Sequence, residues 1–104
     1  MIVHYSFFAW RSELSRATLA ALRDDFAALA QVIPEIRDFR WVINNSTEGL
    51  NQGFGEGVRI EFHDASARQR YLEHPAHVSF AADRVIPALR DGLNSVLVFD
   101  YDER

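Results

Sequence analysis

The sequence contains no cysteine, one methionine and three prolines among its 104 residues. Without cysteine there are no disulfides, no thiolate nucleophile and no thiolate metal site, and the composition fits a reducing compartment. No apolar run approaches the ~20 residues that a membrane-spanning helix needs. The opening stretch, Met1 to Trp10, is apolar but carries His4 and lacks a basic flank, and it runs directly into Arg11, Ser12 and Glu13. It therefore reads as a strand and not as a secretion signal, and the expected location is the cytoplasm. A basic cluster is also missing: Arg68, Arg70 and Arg84 are offset by Asp64, Glu73 and Asp83, and the formal charge is -4. That balance disfavours a nucleic-acid backbone or an anionic membrane as partner.

What remains is one domain, residues 1–104, with a hydrophobic fraction of 48% that includes eight phenylalanines, three tyrosines and two tryptophans. A domain this small buries less of its surface than a large one and gains from a partner. Ile2 to Trp10 is rich in β-branched and aromatic residues and apolar on both faces, which predicts a strand covered on both sides. Ser12 or Ser15 then caps a helix over Leu14 to Val32, whose apolar residues Leu19, Leu22, Phe26, Leu29 and Ile33 step by three and four until Pro34 stops it. A second strand lies within Ile36 to Asn45, beginning near Phe39. Asn44 to Gly57 is polar and rich in glycine and reads as a loop. It lacks the spacing and the Lys-Ser or Lys-Thr of a phosphate cradle, and it precedes a strand. Gly57 to Phe62 alternates as a third strand. Asp64 caps a helix through Ala65, Arg68, Tyr71 and Leu72, which His74-Pro75 breaks. A further helix is expected from about Ala76 to Arg90, distorted near Pro87, and a final strand from Ser95 to Tyr101.

The order β-α-β-β-α-β is ferredoxin-like, an α+β fold with a four-stranded antiparallel sheet. Helices cover one face. The other face, with Val3, Tyr5 and Phe7 if His4 looks toward the helices, would be bare in a monomer, and a homodimer packed sheet to sheet would cover it.

Chemistry concentrates in Tyr71-Leu72-Glu73-His74-Pro75-Ala76-His77, which sets a phenol six residues before an imidazole with a proline between them. His77 is the candidate base, because an imidazole accepts a proton at neutral pH. Tyr71 is the candidate hydrogen-bond donor to a developing enolate or alkoxide oxygen. The residues equally allow a structural pair, with His77 bridging the break and Tyr71 filling the core. His4 is either a satisfied core histidine or a contact in a cavity. His74 reads as a helix-end hydrogen-bonding group and His63 as solvated. A metal site built from His4, His74, His77 and Glu56 is disfavoured, because Pro75 spoils the geometry between the two neighbouring histidines. No cofactor is implied, and nothing marks a haem pocket.

Four stretches, Val3-His4, Gly53-Phe54, Tyr71 through His77, and Leu97-Val98-Phe99-Asp100-Tyr101, together resemble the stress-responsive A/B barrel (Dabb) family over nearly the whole length. The resemblance implies a dimeric alpha-beta barrel, in which two ferredoxin-like sheets face each other. It also implies a site between sheet and helices. A plant member of that family cyclises a linear polyketide by aldol condensation, and its tyrosine and histidine fall on Tyr71 and His77. Its lining positions fall on His4, Ser6, Phe8, Phe26, Glu56 and Val58. Glu56 stands where the cyclase has a histidine, and Ser6 where it has an apolar residue. The functions so implied are a cofactor-free catalyst or binder of a hydrophobic or aromatic small molecule, with cyclase-type aldol chemistry. The alternatives are a stress-related dimeric scaffold or ligand-binding protein without enzyme activity, and a cofactor-independent monooxygenase.

Overall fold

A computed structural model describes residues 1–104. Strand β1 (Ile2–Phe8) leads to helix α1 (Arg16–Val32), then strands β2 (Asp38–Ile43) and β3 (Glu56–Phe62), helices α2 (Ala65–Glu73) and α3 (Pro75–Phe80), and strand β4 (Val96–Asp102). The sheet is antiparallel throughout, in the order β2-β3-β1-β4. β1 and β3 are therefore the two inner strands, each paired along both edges.

The ferredoxin-like α+β expectation holds, but the barrel does not. β2 and β4 are the two edges of an open sheet and pair with nothing on their outer sides, so the sheet is not closed. Strand closure requires a hydrogen-bonded ring of neighbours, and the ladder here stops at both ends.

Local chemistry sets the helix ends. Ser15 caps α1, its hydroxyl accepting from the Thr18 N–H at 3.0 Å. Asp64 caps α2 in the same way through Ala67 at 2.8 Å. His74 serves two helices: its N–H donates to the Tyr71 carbonyl at the end of α2, and its Nδ1 accepts from the Ala76 N–H at the start of α3. Pro75 occupies the first position of α3, where its missing N–H costs nothing. Each such cap is worth about 0.5–2 kcal/mol.

The helix expected over Ala76 to Arg90 is shorter than its apolar stripe suggests. After Phe80 the chain widens into a π-helical turn, Ala81–Val85, and then tightens into a 3₁₀ turn, Ile86–Ala88. Pro87 is the physical reason, because it offers no N–H to an α-helical ladder.

The core lies between the sheet and the helices. Phe8, Val58, Ile60 and Phe62 meet Phe26, Leu29 and Ile33 of the first helical segment and Tyr71 of α2. Burying each of the larger apolar side chains contributes about 1.5–3 kcal/mol. His4, Ser6 and Phe8 face the helices, while Tyr5 and Phe7 lie half-buried on the other face. That open face continues onto β4, where Leu97, Phe99 and Tyr101 are exposed. Val3 departs from the expectation of a bare residue, since it is fully buried between its register neighbours Glu61 and Tyr101.

Candidate functional site

A cavity of about 280 Å³ opens between the helices and the end of the sheet near β4. β1 supplies His4, Ser6 and Phe8, α1 supplies Phe26, α2 supplies Tyr71, and α3 supplies His77. β4 adds Val96, Val98 and Asp100. Strand alternation explains the first set, because positions 4, 6 and 8 share a face. The break at Pro75 explains the second: α3 departs in a new direction and brings the His77 ring to 4.3 Å from that of Tyr71, centroid to centroid. The His4 ring stands 6.1 Å from Tyr71, edge toward face. Exposed Leu93, Val98 and Ile86 rim the opening, so the entrance is apolar.

His77 is oriented by its backbone. Its Nδ1–H donates to the Leu72 carbonyl at 3.2 Å, which leaves Nε2 as the unprotonated, basic nitrogen. Burial pushes its pKa below the ordinary 6.5, the Leu72 carbonyl opposes that, and His4 and His74 push it down further. The ring is neutral at pH 7. Tyr71 is 1% exposed, and burial pushes its pKa well up, so the phenol keeps its proton. Its hydroxyl forms no hydrogen bond with the protein, yet the one buried side-chain polar atom sealed off without a partner is Nε1 of Trp10. The Tyr71 hydroxyl is thus reachable from the cavity.

His4 is held by charge. Its Nδ1 lies 2.7 Å from Oδ1 of Asp100, the residue directly opposite it on β4. Arg68 of α2 donates to the other oxygen of that carboxylate at 3.2 Å. A carboxylate only accepts, so Nδ1 carries the hydrogen and Nε2 is left to accept from the Ser6 hydroxyl at 3.1 Å. Burial lowers the His4 pKa, Asp100 works against that fall, and the net displacement is downward.

Two of the residues singled out in the sequence lie elsewhere. Val58 is fully buried within the core and does not line this cavity. Glu56 accepts from Nε and Nη2 of Arg23, at 2.9 and 2.6 Å, and from Nε1 of Trp41 at 2.9 Å. Its carboxylate fastens α1 to β2 and β3 and has no part in orienting an imidazole. It borders instead a shallower cleft of about 600 Å³ over the open face, between Phe7, Leu97 and the loop carrying Leu50 and Phe54. His63 is exposed. No group of three or more histidine, aspartate or glutamate side chains converges as metal ligands.

Asp100 and Arg68 were not singled out from the sequence. The signal was a lone carboxylate inside the apolar run Val96 to Tyr101. Its meaning depends on strand register, which places it against His4.

A family described as "Stress responsive A/B Barrel Domain" matches residues 2–103. The stress-response A/B barrel domain-containing protein HS1 of Arabidopsis thaliana is 29% identical over 100 residues, 96% of this chain and 87% of that protein. Olivetolic acid cyclase of Cannabis sativa is 24% identical over 103 residues, 99% of this chain and 97% of the cyclase. The crystal structure of At3g17210 from Arabidopsis thaliana superposes with a TM-score of 0.90 at 28% identity, covering 100% of this chain and 96% of that one. Bacterial proteins that share the ferredoxin-like fold at 22% and 19% identity are dimers.

Proposed function

Since the chain belongs to the stress-responsive A/B barrel family, we propose that it binds a small, largely apolar carbonyl compound in the cavity between sheet and helices and catalyses aldol-type carbon–carbon chemistry on it without a cofactor. His77 acts as the base, and Tyr71 as the donor to the oxygen. The observation that carries this reading is the tilted ring pair itself, a neutral imidazole with a free Nε2 beside a protonated phenol with an unused hydroxyl, both on one cavity. Deprotonation beside a carbonyl needs a base in reach of the carbon and a donor for the charge that develops on oxygen. Nε2 of His77 takes the proton, and the Tyr71 hydroxyl stabilises the enolate; the enolate carbon then bonds to a second carbonyl carbon of the same molecule, and the alkoxide oxygen so formed takes the proton back from His77. The relationship to a cyclase over 99% of the chain supports the class of reaction.

The chain contains no lysine. Aldol chemistry through a side-chain Schiff base is therefore not open to it, and the enolate route is the one its side chains supply. Twelve of the sixteen lining residues are hydrophobic, which favours a ligand with little charge. The volume of about 280 Å³ falls just under the range for ligand sites, roughly 300 Å³ upward, which calls for a small ligand.

The open face of the sheet fits a second copy of the chain packed sheet against sheet. Leu97, Phe99 and Tyr101 stand exposed beside Tyr5 and Phe7, an apolar area that association would remove from water. The deciding experiment is a structure of crystals soaked with an aromatic polyketide or a linear β-polyketone. The expected result is a carbonyl oxygen within hydrogen-bonding distance of the Tyr71 hydroxyl. A ligand seated only in the cleft over the open face would defeat the proposal.

A further inference from the structure

Ser6, His4 and Asp100 form a hydrogen-bonded line that the aldol-type reading does not use. Ser6 Oγ lies 3.1 Å from Nε2 of His4, and Nδ1 of His4 lies 2.7 Å from Asp100. Both His4 and Ser6 are buried side chains that line the cavity. Their two-residue spacing on β1 puts them on one face, and the β1–β4 register puts the carboxylate beside the imidazole. Arg68 holds the far oxygen of Asp100 at 3.2 Å. The order hydroxyl, imidazole, carboxylate is that of an activated nucleophile, with the carboxylate choosing the tautomer that lets Nε2 receive the hydroxyl proton.

We propose that Ser6 is a nucleophile and that the protein hydrolyses neutral carboxylic esters with small apolar acyl groups through an acyl-Ser6 intermediate. Ser6 Oγ bonds to the carbonyl carbon as its proton passes to Nε2 of His4. The carbonyl electron pair moves onto oxygen, where the Tyr71 hydroxyl, which has no partner in the protein, donates to it. The pair then returns, the bond to the alcohol oxygen breaks, and that oxygen takes the proton from His4. Water repeats the sequence on the acyl-serine: it gives a proton to His4, bonds to the carbonyl carbon and releases the acid, and Ser6 regains its proton. One ester and one water become one acid and one alcohol, with nothing oxidised or reduced. The apolar lining and the Arg68 guanidinium already engaged by Asp100 leave no free cation for an anionic ester.

The test uses the full chain with p-nitrophenyl butyrate as substrate and an alkyl fluorophosphonate as covalent probe. Peptide mass spectrometry should find one phosphonyl group per chain, on Ser6. Ester hydrolysis should fall roughly a hundredfold or more in Ser6→Ala and in His4→Ala, in the range typical for losing a positioned base. Ser6→Cys should restore acylation, which a merely structural hydroxyl would not do, and circular dichroism should show each variant folded. A Ser6 left unmodified by the probe, or full-rate hydrolysis by folded Ser6→Ala, overturns the proposal. It shares the cavity with the carbonyl-compound reading but not its base. Carbonyl turnover persisting in His77→Ala counts against that reading alone, and an unlabelled Ser6 counts against this one alone.

Discussion

Tyr71 and His77 lie ring against ring, 4.3 Å between centroids and inclined by 40°, although a proline stands between them in the chain. An unbroken helix would put residues six apart on different sides. Here the break is what makes them neighbours: Tyr71 closes α2, His74 caps both helices, and α3 returns His77 onto the phenol. If the pair works as proposed, His77→Ala should lower turnover of a carbonyl substrate roughly 10²- to 10⁴-fold, the usual share of a general base. Tyr71→Phe should reduce kcat with little change in KM, because the lost donor acts on charge present only in the transition state. Steady-state kinetics on both variants checks this, and the reverse split, KM raised with kcat intact, would assign Tyr71 to binding.

The pH response follows from the same burial. His77 and His4 both titrate below 6.5 in the folded chain, chiefly because burial disfavours the charged ring. As the base is active when neutral, activity should persist below pH 6.5 and fall only as the pH drops through the depressed value of His77. Stability has the same sign. Below pH 6.5 the unfolded chain binds protons that the folded chain refuses, so stability is full above 6.5 and declines as pH falls toward the folded values. Urea midpoints between pH 5 and pH 8 should show that decline, and it should shrink in a His77→Gln variant.

Glu56 offers a contrast, a carboxylate whose work is structural. Glu56→Ala would leave Arg23 without its ion pair and Nε1 of Trp41 without an acceptor, on elements packed against each other. Because Arg23 is partly exposed, the expected loss is moderate, about 1–3 kcal/mol. Glu56→Gln should lose less. Denaturant unfolding measures both, and ester or carbonyl turnover should change little in the folded protein.

Gly57 sits opposite Phe7 in the β1–β3 ladder, and a methyl group there would meet the Ser6 carbonyl and the Phe7 ring. Gly57→Ala should therefore destabilise by about 1–3 kcal/mol, as overpacked positions do. It should also disturb the site, because the strand that must shift carries Ser6. A thermal midpoint equal to that of the parent would show that β1 can give way there without cost.

Association is tested on β4. Phe99 is 60% exposed on the open face. Phe99→Asp should turn a micromolar dimer into a monomer by light scattering while leaving the Tyr71–His77 pair in place. A parent protein that is already monomeric at that concentration would remove the sheet-to-sheet proposal.

How much of this could be read in the residues depends on whether the signal is local. The stripe Leu22, Phe26 and Leu29 announces α1 because helical spacing brings them to one face, and all three are buried. Asp64 is legible as a cap because an N-cap acts within its own turn. Pro87 announces the distortion near the end of the helix expected to Arg90, whereas the π-helical turn over Ala81–Val85 leaves the apolar steps regular and so does not show in the residues. The barrel came from a resemblance that describes an assembly. Within one chain the hydrogen-bond ladder ends at β2 and β4. Asp100 and Arg68 stayed hidden because only the pairing of the first strand with the last, nearly the whole chain apart, brings them to His4.

The last strand answers to two different surroundings through alternate residues. Asp100 and Val98 turn toward the cavity, and Leu97, Phe99 and Tyr101 turn the other way. Gaining or losing one residue near Val96 would exchange the two sets, stranding a carboxylate among the outward aromatics and pushing a phenyl ring against His4. Length variation here is tolerable only in steps of two, and any drift in what this protein recognises must spare the phase of that strand.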